Sequence, residues 1–225
     1  MTFYFQFNWM HFSVAFGAML LFTFIMGLQA KNFYTQHVVL RKFSSLDLQF
    51  PASGLELVNY ITGIFKLPAS LAAKVLKNLR GQLIIDFFFM VSAYGSIFIL
   101  CMKVSMKMTS FGHNLFAIFA WMQIIPFLFD IIENVYLLRK IKPNPEVSGE
   151  SVHKTMEILA FSKWIIALTA VVCCIASMCY FWLVGRFSYN SLEYLVLIIS
   201  ELAIFMILKK ATSYTDKEKF VAFKQ

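Results

Sequence analysis

An otherwise apolar run contains two carboxylates and an amide, on Asp130, Glu133 and Asn134. Glu133 and Asn134 follow Asp130 by three and four residues. At this spacing all three side chains fall on one face of a helix. Clustered carboxylates bind protons, because like charges disfavour full ionisation, and their oxygens suit hard cations. The run that contains them, residues 111–138, is long enough to cross a bilayer. Acids at membrane depth are costly, so this motif is a candidate site.

Further polar residues extend the motif. Gln123 precedes Asp130 by two helical turns, Asp86 interrupts the preceding apolar run, and Glu201 interrupts a later one. Counted from the nearest basic flank at about 1.5 Å per residue, the four acids lie roughly 9–14 Å inside the membrane. We therefore predict an intramembrane polar cluster that consists of Asp86, Gln123, Asp130, Glu133, Asn134 and Glu201.

Two hypotheses explain this cluster. In the first, it is a cation or proton site with Asp130 and Glu133 as the main ligands. In the second, Arg80, Arg139 or Lys140 reaches back to form ion pairs, and the network fixes the packing of the helices. Two central acids cost about 5–7 kcal/mol of insertion free energy, so their helix must face other helices or water. The nearby basic residues favour the second hypothesis without excluding the first.

The composition places the chain in a membrane. It is 60% hydrophobic, against about 45–50% for a soluble domain, and its mean hydropathy is +0.70. We predict an all-α, polytopic helical bundle that forms one membrane domain, residues 1–225, with five transmembrane helices. The fifth is weaker than the others, because Glu193 and Glu201 interrupt it, and it could be a partly inserted helix. The predicted spans are residues 9–28, 83–102, 111–138, 164–185 and 189–208.

The basic residues predict the orientation. With five spans, Lys103, Lys107 and Arg186 fall on one side of the membrane, and the other seventeen of the 20 basic residues fall on the opposite side. Basic loops stay in the cytoplasm, so we expect the N-terminus outside and the C-terminus inside. These bases flank hydrophobic spans and do not form a separate domain, which argues against nucleic acid. Anionic lipid at the cytoplasmic face is the expected partner.

The segment between the first two spans, residues 46–80, has helical patterns. Ser53 and Glu56 have the spacing of a capping box ahead of an apolar helix, and a second short helix is predicted after Pro68. One interpretation places both helices on the membrane surface, with long basic side chains reaching the headgroups. Packing of the segment under the protein's own spans explains the pattern equally well.

Other chemistry is poorly supported. The chain has no recognisable nucleophile motif and no phosphate-binding loop. Its cysteines lack a CxxC pair and are interpreted as packing residues, together with small residues such as Ala167 and Ala170 in the fourth span. The histidines have no spacing that selects haem or a metal. We therefore expect no catalytic residue, no metal and no cofactor. The cysteines are Cys101, Cys173, Cys174 and Cys179, and the histidines are His11, His37, His113 and His153.

Three short patches resemble an uncharacterised group of bacterial multi-span membrane proteins: residues 43–50, residues 85–89 with Tyr94, and residues 130–134. The resemblance covers the chain up to about Lys140 and implies no activity. That group usually carries an acid where this chain has Gln49, which disfavours a metal there. The resemblance implies a bacterial membrane protein in which five residues belong together, namely Asp47, Asp86, Asp130, Glu133 and Asn134.

The sequence thus leads to an expected function. We expect a non-enzymatic integral membrane subunit or scaffold of a larger complex, in the bacterial cytoplasmic membrane, with other membrane-protein subunits as partners. The alternative is a small proton- or cation-coupled transporter or channel that uses the intramembrane carboxylates. A lipid-modifying enzyme ranks third, because no nucleophile or metal motif supports it.

Overall fold

The computed structural model describes residues 7–36, 40–186 and 190–222. Ten elements follow one another in these ranges, and all but two short strands are helices. In chain order they are α1 (Trp9–Ala30), β1 (Tyr34–Gln36), β2 (Leu40–Lys42), α2 (Ser45–Gln49), α3 (Gly54–Phe65), α4 (Ala69–Ser105), α5 (Ser110–Met122), α6 (Ile124–Lys140), α7 (Glu150–Leu183) and α8 (Asn190–Ala222).

Within the described ranges, four helices are long and apolar enough to cross a membrane: α1, α4, the combined α5 and α6, and α7. The predicted all-α class is therefore confirmed, and the four candidate spans are consistent with a bundle of membrane helices. The fifth predicted span, residues 189–208, falls on α8, which is not among these four helices. Its first residue, Tyr189, lies outside the described residues.

Two helices extend well beyond the predicted spans. α4 begins at Ala69, so the short helix expected after Pro68 continues without interruption into the second span. α7 begins at Glu150, far ahead of the predicted start at residue 164. Hydropathy marks only the apolar part of a helix, whereas the backbone hydrogen bonds continue through polar residues that favour helix. As a result, Lys163 lies inside α7 and not in a loop.

The third span is divided into α5 and α6 at Gln123. Pro126, one turn later, has no amide hydrogen and cannot donate to the carbonyl in the preceding turn. The backbone of Gln123 instead donates to Ala120 in a tighter turn, with an N···O distance of 3.1 Å. The interruption between α5 and α6 therefore lies in the turn before Pro126, where the missing amide hydrogen is expected to disturb the helix.

A small folded cap covers one end of the bundle. We use the word cap for residues 33–36 and 40–67, which comprise the paired strands β1 and β2 and the helices α2 and α3. Its core includes Phe33 and Phe43, whose rings stack 5.3 Å apart. The same core contains Val75 and Leu79 from α4 and Leu137 from α6. Of the two interpretations of this segment, the structure therefore shows packing beneath the protein's own helices.

Local interactions set the shape of the cap. Ser53 Oγ accepts from the Glu56 amide at 3.2 Å, which is the helix cap predicted from the sequence. Thr35 Oγ1 in β1 donates to the Tyr60 carbonyl at 2.9 Å. A Cβ atom at Gly63 would clash with Thr35 Oγ1. The absence of a side chain at Gly63 is thus what allows β1 to lie directly on α3.

α8 lies beside α1 and runs in the same direction. Near the start of both helices, Trp9 and Tyr194 line one cavity. Further along, the Glu201 carboxylate lies against Gly17, where a Cβ atom would be 3.3 Å from Glu201 Oε1. Near the other end, Lys31 Nζ donates to the Thr212 carbonyl at 2.8 Å. These contacts extend along the whole of α1.

Candidate functional site

Lys163, on α7, is the centre of a buried ion network. Its ammonium group donates to Asp130 and to Glu133, both on α6, and the distance from Nζ to Glu133 Oε2 is 2.6 Å. The exposed fractions are 3% for Lys163, 7% for Asp130 and 3% for Glu133. One buried ammonium therefore joins two carboxylates and connects α6 to α7.

α4 completes the network with two polar side chains. The Tyr94 hydroxyl donates to Asp130 Oδ2. Asn134 Nδ2 donates to Asp86 Oδ2 at 2.7 Å and lies 3.4 Å from the carbonyl of Leu83. We call these six residues the Lys163 network: Asp86, Tyr94, Asp130, Glu133, Asn134 and Lys163. The network connects α4, α6 and α7.

Helical spacing explains why the sequence places these groups together. On α6, Asp130, Glu133 and Asn134 occupy one face, as their spacing predicts. On α7, Lys163 belongs to a buried stripe of small residues at three- and four-residue intervals, which includes Ala160, Ala170 and Cys174. Small side chains allow close approach of helices, so the lysine reaches α6 without a large gap around it.

The charges of the network do not balance. Asp86, Asp130 and Glu133 are three carboxylates, whereas Lys163 is the only base within the Lys163 network. Asp86 receives its hydrogen bond from the neutral amide of Asn134. Buried charges are stable when they are paired and hydrogen-bonded, and an excess of one sign favours uptake of an ion of the opposite sign. The network therefore carries an excess of negative charge, which the uptake of a proton would reduce.

One oxygen of the network is left without a protein partner. Glu133 Oε1 is buried and has no hydrogen-bond partner within the described chain. Glu133 lines a narrow crevice that also involves Gln49 and Leu57 from the cap and His153 and Glu157 from α7. Its volume of about 10 Å³ is close to the minimum that one water molecule needs. The crevice connects the network to the cap end of the bundle.

Two residues of the predicted cluster lie elsewhere. Gln123 donates through its side-chain amide to the Phe119 carbonyl at 3.0 Å, within its own helix. Glu201 lies against Gly17 on α1, and its Oε2 is buried without a hydrogen-bond partner in the described chain. The structure thus brings Asp86, Asp130, Glu133 and Asn134 together but places Gln123 and Glu201 apart from them.

The ion-pair partner of the acids differs from the three that the sequence suggested. Arg80 donates to the Ile141 carbonyl at 3.2 Å, Lys140 donates to the Glu146 carbonyl at 2.6 Å, and Arg139 is exposed. Lys163 provides the positive charge instead. Sequence reasoning assigned Lys163 to a loop, because the apolar run begins at Trp164. Lys163 lies on the same helix face as Ala160, Ala170 and Cys174. This spacing with small residues is the pattern in the sequence that indicates a buried position.

The remaining predicted residues have local roles. Asp47 Oδ2 accepts from the Ser44 amide at 2.7 Å and caps α2, so it does not join the Lys163 network. His11 Nδ1 accepts from the Asn8 amide at 3.0 Å, and His113 bonds with Ser105. His37 lies outside the described residues. Among the residues that the structure describes, no group of three or more His, Cys, Asp or Glu side chains could hold a metal ion.

Comparison of the chain with protein-family models, curated proteins and solved structures gives no match. Its function must therefore be argued from the geometry and charge of the Lys163 network and from the arrangement of the helices.

Proposed function

We propose that this chain is a non-enzymatic integral membrane protein that acts as a subunit or scaffold of a larger membrane complex. The observation that carries the proposal is the bridge from Lys163 to Asp130 and Glu133, with Tyr94 bound to the same aspartate. The two contacts of Lys163 are buried, the contact of Tyr94 is partly buried, and together they come from three helices. A network of this kind fixes one arrangement of α4, α6 and α7, because any displacement separates a buried charge from its partner.

The proposed topology has five spans, with the N-terminus outside and the C-terminus in the cytoplasm. Support for α8 as a span comes from its parallel contact with the whole of α1, from Tyr194 to the carbonyl of Thr212. If α8 did not cross, Lys209 and Lys210 would lie on the same side as Lys103, and the charge bias would be weakened. With α8 crossing, the cap and the great majority of basic residues face the cytoplasm.

The proposed location is the bacterial cytoplasmic membrane, and the proposed partners are other membrane-protein subunits. The cap end also carries exposed bases, among them Lys154, Lys209 and Lys210. In the cytoplasmic orientation, these ammonium groups would meet anionic headgroups.

Purification of the full chain from crosslinked native membranes tests this function. We expect another membrane protein to co-purify in a fixed ratio. Lys163→Met, which breaks the network, should lower its yield. Lys154→Met removes an exposed lysine of the same helix and should leave the yield unchanged. A monodisperse monomer without a co-purifying chain would contradict the proposal.

A second candidate function is proton- or cation-coupled transport. The specific observation in its favour is the excess of carboxylates over ammonium in the Lys163 network, together with the unpartnered Glu133 Oε1 at the crevice. In this mechanism, the ion enters from the cap end and binds at Glu133, while Asp130 holds Lys163 in place.

Reconstitution in liposomes tests the second function. Asp130→Asn combined with Glu133→Gln should abolish proton or cation flux while the protein still inserts. Glu201→Gln changes an acid outside the network and should preserve flux. Equal flux from the double variant and the wild type would reject a role for the network in transport.

A further inference from the structure

The end of the bundle opposite the cap contains an apolar cavity. Its volume is about 390 Å³, and it lies between α1, α4, α7 and α8. Large apolar side chains line it, including Trp9, Phe16, Leu100, Ile175 and Ile198. A cavity of this composition at membrane depth suits hydrocarbon, because it offers dispersion contacts and few hydrogen-bonding groups.

Three basic residues lie at the same end of the bundle as this cavity, just beyond the parts of α4 and α7 that line it. Lys103 follows Leu100 by one helical turn, and its Nζ lies 5.5 Å from the centroid of the Trp9 ring. Lys107 Nζ donates to the Arg186 carbonyl at 3.4 Å. Lys103 is half-buried, whereas Lys107 and Arg186 are exposed. We call Lys103, Lys107 and Arg186 the basic rim.

The basic rim is unusual in the charge distribution of the chain. These are the same three bases that the five-span arrangement separates from all the others. Basic residues are disfavoured on the outer side of a membrane protein, so the presence of three at this end of the bundle calls for a reason. Glu193, an exposed acid near the start of α8, reduces the positive charge at this end but does not cancel it.

We propose that the cavity and the basic rim together bind one anionic phospholipid. An acyl chain fills the apolar cavity beside Trp9 and Leu100, and the headgroup phosphate lies on Lys103, Lys107 and Arg186. The arrangement of these residues along the membrane normal fits such a ligand. The apolar lining of the cavity lies toward the membrane interior, and the charged groups of the basic rim lie at the interface. Cationic side chains at this level attract anionic headgroups.

Native mass spectrometry of the full-length chain tests the headgroup. The protein is extracted from vesicles that contain equal amounts of phosphatidylglycerol and phosphatidylcholine with identical acyl chains. We expect the wild type to retain one phosphatidylglycerol. Replacement of Lys103, Lys107 and Arg186 by Gln should lower this retention about tenfold or more, because three favourable charges are removed.

A matched variant controls for net charge. Replacement of Lys42, Lys66 and Lys74 by Gln removes three exposed bases from the cap end and should leave retention unchanged. Inorganic phosphate at millimolar concentration should not displace the lipid, because it gains nothing from the cavity. Equal retention in the two triple variants, or displacement by phosphate, would overturn the proposal.

Fluorescence tests the acyl chain. Trp121→Phe and Trp164→Phe leave Trp9 and Trp182 as the fluorescent indoles, and both line the cavity. Phosphatidylglycerol with brominated acyl chains should quench this emission at a several-fold lower mole fraction than brominated phosphatidylcholine does. Equal quenching by both lipids would also overturn the proposal. This test does not require the lysine and arginine variants, so it is independent of their folding.

Discussion

The ammonium nitrogen of Lys163 and Oε2 of Glu133 lie 2.6 Å apart, on two different helices and away from the surface. Removing one member of such a pair leaves a buried charge without compensation, whereas removing both leaves an apolar contact. The Lys163 network should therefore respond very differently to single and combined substitutions. This difference in stability distinguishes a network that holds the helices together from a buried charge that contributes nothing to their packing.

Lys163→Met should lower the free energy of unfolding by about 3–5 kcal/mol, because Asp130 and Glu133 lose their shared cation in a buried site. The combination of Lys163→Met with Asp130→Asn and Glu133→Gln should recover part of this loss. Denaturant titration in detergent micelles measures both values. Lys154→Met, at an exposed ion pair, should change the value by no more than about 1 kcal/mol. A similar small effect of Lys163→Met would show that the network does not hold the helices.

Asn134→Leu should also destabilise the protein, by about 0.5–2 kcal/mol, because Asp86 loses the amide that donates to it. Asp86→Leu added to this variant should restore stability, since neither polar group then remains unpaired. The double-mutant cycle gives the coupling energy between the two residues. A coupling near zero would mean that Asp86 finds another partner.

Sequence reasoning identified the acidic side of the Lys163 network but not its base. Asp130, Glu133 and Asn134 share a face because helical periodicity is fixed, and Asp86 reaches the same level because depth can be counted from flanking charges. Lys163 was missed because a single lysine next to an apolar run looks like a boundary residue. Its burial depends on the approach of α7 to α6, a tertiary contact that hydropathy does not report.

The cap shows the same distinction. Ser53 and Glu56 predicted the start of α3, because a capping interaction is local. The strands β1 and β2 were not predicted, since each has three residues and their pairing depends on contact with α3. Glu201 was grouped with the other acids by depth alone. Depth does not determine which helices are neighbours, and α8 lies against α1.

Glu201→Met should leave stability unchanged or raise it by about 1 kcal/mol. Glu201 Oε2 is buried beside Gly17 without a hydrogen-bond partner in the described chain, so its removal relieves an unpaired polar group. Thermal unfolding in micelles provides the comparison with wild type. A loss of more than about 1 kcal/mol would show that Glu201 has a compensating interaction, for example with a partner subunit.

Gly63→Ala should destabilise the cap by about 1–3 kcal/mol, because the added methyl group meets Thr35 Oγ1 and must push β1 away from α3. Gly27→Ala is the control, since no heavy atom surrounds the corresponding position in α1. It should be neutral or slightly stabilising, as expected for alanine in a helix. Limited proteolysis of the hairpin reports the effect directly, and equal cleavage of the two variants would argue against the tight contact.

The proposed fifth span predicts that the C-terminus and the cap lie on the same side of the membrane. A fluorescent protein fused after the last residue should be bright in the cytoplasm, and alkaline phosphatase fused there should be inactive. A phosphatase inserted after Lys107 should be active, because the α4–α5 turn lies on the opposite side. Activity at the C-terminus would instead place α8 on the outer surface.

α4 runs for 37 residues without a break, a length of about 55 Å. Val75 and Leu79 anchor it in the cap core, Asp86 and Tyr94 hold its middle to α6, and Lys103 ends it at the basic rim. An unbroken helix of this length tilts as one body. A partner that displaces the cap would therefore also displace the apolar cavity at the other end of the bundle, and a ligand in that cavity would in turn bias the position of the cap.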